Sequence, residues 1–113
     1  MKITLKKIPR QDLVLIQSAL LVFLQNKIDT LSHYKDYQQY CNDIILIDLV
    51  QELYLLIRTK LERNAPKSNL VIQPSVAVVL LYCSSWKQEE QSQELRHTMQ
   101  RLAFEINEKL INL

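Results

Sequence analysis

Glu94-Leu-Arg-His97 is the first constellation in this chain that could do chemistry. A Glu-x-x-His sets a carboxylate and an imidazole on one side of a helix. Di-iron carboxylate bundles use two such motifs together with two further glutamates from other helices. Here the motif occurs once, and the central apolar segment offers only Asp48 and Glu52 on its polar side, so a solvated Glu–His pair is expected rather than a metal site. His33, Cys41, Cys83 and His97 are zinc-ligand types, but seven, forty-one and thirteen residues separate successive members. None of these gaps matches the short paired spacings of structural zinc. Cys83 ends an apolar run, where a thiol behaves as a small hydrophobe. No neighbour in sequence would lower its pKa for attack with His97 or His33. Two histidines and no oxyanion-forming loop leave no Ser/His/Asp arrangement to argue. The expectation is a protein with no catalytic residues, no metal and no cofactor: not an enzyme.

Phosphate chemistry is narrowed by a single count, the absence of any glycine. Neither a G-x-G-x-x-G turn nor a Walker A loop can be written without glycine, and the G-x-S-x-G nucleophile elbow goes with them. What remains is charge. Lys2, Lys6, Lys7 and Arg10 fall in the first ten residues with no acid among them, and since the whole chain is +2 the remainder sums to −2. These four are the candidate phosphate contacts, able to supply salt-dependent, sequence-independent affinity. Lysines on a short strand also block edge pairing, which is the commoner use. The last helix mixes Arg96, Arg101 and Lys109 with Glu94, Glu105 and Glu108, which argues against a phosphate-tracking face. Nucleic acid is therefore the weaker expectation for a partner.

The third constellation is Tyr34, Tyr37 and Tyr40, set among His33, Gln38 and Gln39. Tyrosine supplies rigid amphipathic contact area, and these three are the candidate interface residues. The competing reading is that the rings cap one end of the core with their hydroxyls in water.

The elements that must position these residues are helical. Without Asn-Gly or Asp-Gly, tight hairpins are disfavoured, and helix ends must use asparagine; Asn26, Asn42, Asn64 and Asn69 fall near expected ends. Ile44–Leu61 has twelve apolar residues in eighteen, with its polar residues, Lys60 apart, on one narrow side. Its apolar face spans roughly 200°, wider than a surface helix needs. It is expected to start at an Asn42 or Asp43 cap, run to about residue 63 and be packed on several sides. A first helix is expected from about residue 10 to 28, opened by Pro9 and nearly devoid of a polar face. The tyrosine segment is expected to form separate helical turns capped by Ser32. Residues 76–82 are ambiguous between strand and helix and are read as helix, behind Pro74. A Ser85-x-x-Gln88 capping box, with Glu89 and Glu90 in the first turn, opens the last helix. There Leu95, Met99, Leu102, Ile106, Leu110 and Leu113 form a stripe widened by Ala103 and Phe104.

Residues 2–6 alternate as a short strand, and residues 70–73 are a second extended piece. ITLKKIPRQ and LVIQPS both set an extended piece and a proline before a very apolar helix. If the extended pieces pair, the fold is mainly α: a four-helix, bundle-like single domain of two helix pairs joined by a two-stranded ribbon. At 113 residues such a domain buries a core without staples, and 48% apolar with 23% charged residues argues against disorder. Two distant cysteines suit a cytoplasmic protein with reduced thiols. Leu13–Leu24 follows a basic start, but Gln17 and Ser18 interrupt it, no A-x-A-like site follows, and it is shorter than a span; neither export nor membrane insertion is expected. The excess apolar surface points to protein–protein contact, most simply as a homodimer, with any other protein partner unknown.

Overall fold

The computed structural model describes residues 1–33, 36–85 and 92–113. The chain runs β1 (Ile3–Pro9), α1 (Arg10–Thr30), a 3-10 turn (Leu31–His33), α2 (Tyr37–Glu62), β2 (Lys67–Ile72), α3 (Pro74–Ser85) and α4 (Gln93–Ile111). It is thus a strand and two helices, written twice, with a proline at each strand-to-helix junction. Residues 76–82 are helical, as expected. Helix α1 pairs with α2 and α3 with α4; α2 against α3 and α1 against α4 complete the ring. The expected mainly α fold of two helix pairs with a short ribbon is what the chain adopts.

The ribbon is antiparallel, with Ile3 opposite Ile72, Leu5 opposite Leu70 and Ile8 opposite Ser68. Its register shifts between Leu5 and Ile8. The shift has a physical reason. Alternation from Ile3 and Leu5 would send Lys7 into the core and Ile8 into water. An extra residue in the strand reverses this, and Ile8 is buried while Lys6 and Lys7 are both exposed. The turn is made at Lys7, which sits in the left-handed region at φ 56°, and its N–H donates to Asn69 Oδ1 at 2.8 Å. The strand therefore runs on to Pro9, past the point where period-2 alternation stops.

One core cluster joins both helix pairs and the ribbon. Helix α1 contributes Leu13, Ile16, Ala19, Leu20 and Phe23; α2 contributes Val50, Leu53 and Ile57; α4 contributes Met99, Leu102 and Ile106. Each set follows the three-and-four spacing of a helix face. At the junction of the halves, the Arg10 N–H donates to Pro66 O at 2.9 Å and its guanidinium to Leu61 O at 2.7 Å, placing a cation on the carbonyl end of α2.

Several expected boundaries are corrected. Helix α2 starts six residues before Asp43, with Asp36 as its cap: the carboxylate accepts from the Gln38 N–H at 2.9 Å. Tyr37 and Tyr40 thus lie in the first turn of α2 itself rather than in a separate segment, and Ser32 lies in the 3-10 turn. Asn42 and Asp43 are interior to the helix; Asp43 is buried on the core side rather than capping anything. Ser85 ends α3 instead of opening α4, and Gln88, Glu89 and Glu90 lie outside the described residues. Ser92 caps α4, its Oγ accepting from the Leu95 N–H at 3.2 Å. Of the asparagines expected near ends, Asn64 fulfils the role, at φ 54° just past α2; Asn26, Asn42 and Asn69 are inside elements. Phe104, expected to widen the buried stripe of α4, is 74% exposed.

Candidate functional site

Three surfaces hold many of the residues singled out above, and a buried cluster adds others. The first is the pair of helices α1 and α2. Between Asp12 and Lys27, α1 has no charged residue. One stripe of it enters the core, yet Val14, Leu21, Val22 and Ile28 stay 38 to 46% exposed. Positions 14, 21 and 28 repeat every seven residues, so they stack along one outward line of the helix. Helix α2 likewise exposes Ile44, Ile45 and Leu55. The wide apolar face expected of the central helix is thus only partly enclosed by α1 and α3. Among the described residues α1 is also the helix long and apolar enough to cross a membrane by length and composition, a property shared by core helices.

The second surface is the start of α2. Tyr37 is 80% exposed and stacks on Tyr40, their ring centroids 6.5 Å apart. A hydrogen bond with the Cys41 side chain pushes the Tyr37 hydroxyl above its ordinary pKa. Tyr34, the third member of the expected set, lies outside the described residues.

The third is a groove of about 450 Å³ between the start of β1 and the end of α4, lined by Lys2, Thr4, Lys6 and Lys109 among others. It divides the four candidate phosphate contacts. Lys2 and Lys6 line it, Lys7 occupies the bulge, and the Arg10 guanidinium is held on Leu61 O. Lys109 joins the lysines, and no signal in the sequence could have paired it with residues a hundred positions earlier.

The Glu94–His97 pair lies on exposed α4, where the Glu94 carboxylate accepts from Gln11 of α1. Beside it, Asp12 accepts from Thr98 Oγ1 at 3.3 Å and is ion-paired with Arg101. These bonds pin the start of α1 to α4. Among the described residues no three His, Cys, Asp or Glu side chains gather as a metal would require.

The buried cluster was not foreseen. Asp43 of α2 faces Lys27 of α1, Oδ2 to Nζ 3.9 Å, and the Lys27 ammonium lies 5.8 Å from the Phe23 ring centre. Phe23 in turn meets Tyr82 of α3 edge to face. Next to it, Cys83 is buried, and desolvation pushes its thiol up to about 12 against a weaker opposing effect of Lys27. At neutral pH that thiol stays protonated and is a poor nucleophile. Sequence reasoning missed the pair because an aspartate and a lysine on separate helices carry no common pattern.

The geometry defines a four-helix domain with a bulged ribbon and an incompletely enclosed apolar face on its first helix pair. No family model, curated protein or solved structure matches the chain.

Proposed function

We propose that this is a non-enzymatic helical protein that acts by protein–protein contact and self-associates as a dimer through the outward sides of α1 and α2. The observation that carries it is the uncharged run of α1 with Val14, Leu21, Val22 and Ile28 left in water. Complete burial of one such side chain is worth about 2 kcal/mol, and these are a little under half exposed. Covering four on each of two protomers therefore gives roughly 7 kcal/mol gross. Association costs at least about 4 kcal/mol, so this stripe by itself supports a weak dimer. Adding Ile44, Ile45 and Leu55 of α2 raises the gross figure to about 13 kcal/mol, which leaves a micromolar association after that cost. On α1 a two-fold pairing brings like against like at no electrostatic penalty, since its outward line is uncharged. On α2 the exposed Asp48 and Glu52 lie among Ile44, Ile45 and Leu55 and must stay at the edge of the contact. Tyr37 and Tyr40 extend the contact area at the start of α2.

Sedimentation velocity from about 1 to 100 µM tests this directly. The expected result is a concentration-dependent monomer–dimer equilibrium. Leu21→Glu combined with Leu55→Glu should leave a helical monomer. A parent protein that stays monodisperse and monomeric through that range overturns the proposal.

A further inference from the structure

We propose a site that is independent of self-association: the groove between β1 and the end of α4 binds the phosphates of an extended polyanion, the nucleic-acid backbone. Upstream of the bulge the strand alternates regularly, so Lys2, Thr4 and Lys6 share the side opposite buried Ile3 and Leu5. Two ammonium groups with a hydroxyl between them therefore flank one wall. The facing wall brings Lys109, from the last turn of α4. Among the described lining residues none has an acidic side chain; the Glu105 and Glu108 that dilute the basic character of α4 in sequence do not line the groove.

Three like charges converging on one concavity repel one another, and a bound polyanion relieves that repulsion while releasing its own counterions. The type of ligand follows from what the walls contain. The near end of α4 is its carbonyl end, whose partial negative charge offsets part of the lysines' charge and gives the groove no N-terminus to cradle a compact phosphate, and the chain has no glycine loop to do so. Among the described lining residues there is no aromatic ring either, so they offer bases nothing to stack on. Flexible lysines without a stacking platform fit contact with successive backbone phosphates, independent of base sequence.

The test is fluorescence anisotropy with a duplex DNA of about twelve base pairs, titrated at about 50 and 200 mM salt. Three phosphate contacts give a slope near −2.7 in log K against log salt, hence roughly a 40-fold loss between those conditions. Lys2→Ala, Lys6→Ala and Lys109→Ala should each reduce the slope by about 1, and the triple variant should not bind. Lys67→Ala, at the other end of the ribbon, should bind as the parent does. Inorganic pyrophosphate is a second arm. If it shifts the NMR resonances of the three lysines while the duplex binds no more tightly, the ligand is a small phosphate and the backbone assignment is wrong. Equal binding by the parent and the triple variant, an equal loss in Lys67→Ala, or no binding by either probe overturns the site. Dimerisation of the triple variant, followed by sedimentation, should be unchanged, which separates failure here from failure of the self-association reading.

Discussion

Introducing a glycine into this glycine-free chain should stabilise it at one position and destabilise it at the next. Lys7 turns the bulge at φ 56°, where a Cβ crowds the following carbonyl oxygen. That crowding costs a non-glycine residue about 1–2 kcal/mol. Lys7→Gly removes the cost but widens the unfolded ensemble, an offset of about 0.5–1 kcal/mol. The difference favours glycine by about 0.5–1 kcal/mol, equivalent to about 4 °C in Tm for a domain of this size. The Lys7 side chain is exposed, and the bond holding the bulge is made by its backbone N–H to Asn69, so glycine keeps it. Lys6→Gly is the control: φ there is not positive, and glycine should lose about 0.5–1 kcal/mol. Chemical denaturation of parent, Lys6→Gly, Lys7→Gly and Lys7→Ala, fitted with a common m-value, measures all four. If Lys7→Gly is less stable than Lys7→Ala, the bulge is not where we place it and the register of the ribbon is wrong.

Two further outcomes follow from the buried cluster. Lys27→Met should destabilise by about 3 kcal/mol by leaving the Asp43 carboxylate enclosed without its cation, and adding Asp43→Leu should recover most of that loss; a double-mutant cycle in urea showing simple additivity would refute the coupling. Because burial raises the Cys83 pKa from about 9 to about 12, the folded state holds a proton that the unfolded state releases, so stability should fall as pH rises between those values. Cys83→Ala should flatten that alkaline decline in thermal melts, and a slope unchanged by the substitution would show that other groups cause it.

Much of the fold was legible because its signals are local. Pro9 and Pro74 each restrict a backbone dihedral next to an apolar run, and both mark a strand-to-helix junction. Ile3 and Leu5 alternate, and the α4 stripe from Leu95 to Leu110 follows helical spacing. Where two signals competed, the boundary moved. Asp36, Asn42 and Asp43 are all good caps, and choosing among them depended on whether the tyrosine turns continue into α2; they do, behind the Asp36 cap, although residues 36–40 are exposed and no burial marks them. Ser85 and Ser92 competed in the same way at the start of α4. The candidate site was legible in part: Lys2 and Lys6 line the groove, whereas Arg10 is drawn to the carbonyl end of α2 by a helix terminus that sequence cannot place beside it.

The sequence by itself determined the helical class, the proline-led repeat and the excess of apolar surface. Composition and periodicity act through dihedral preferences and transfer free energies that each segment carries with it. Only the tertiary structure decided which apolar residues stay outside. A helix buries the sector its neighbours cover, and α1 has its neighbours on one side. Tertiary structure alone also set the bulge at Lys7, because the strand had to turn Ile8 inward against β2. Last, it brought Lys109 to Lys2 and Lys6, and Lys27 to Asp43. Those juxtapositions arise from closing the ring of four helices, and no local pattern encodes a contact between side chains on different elements.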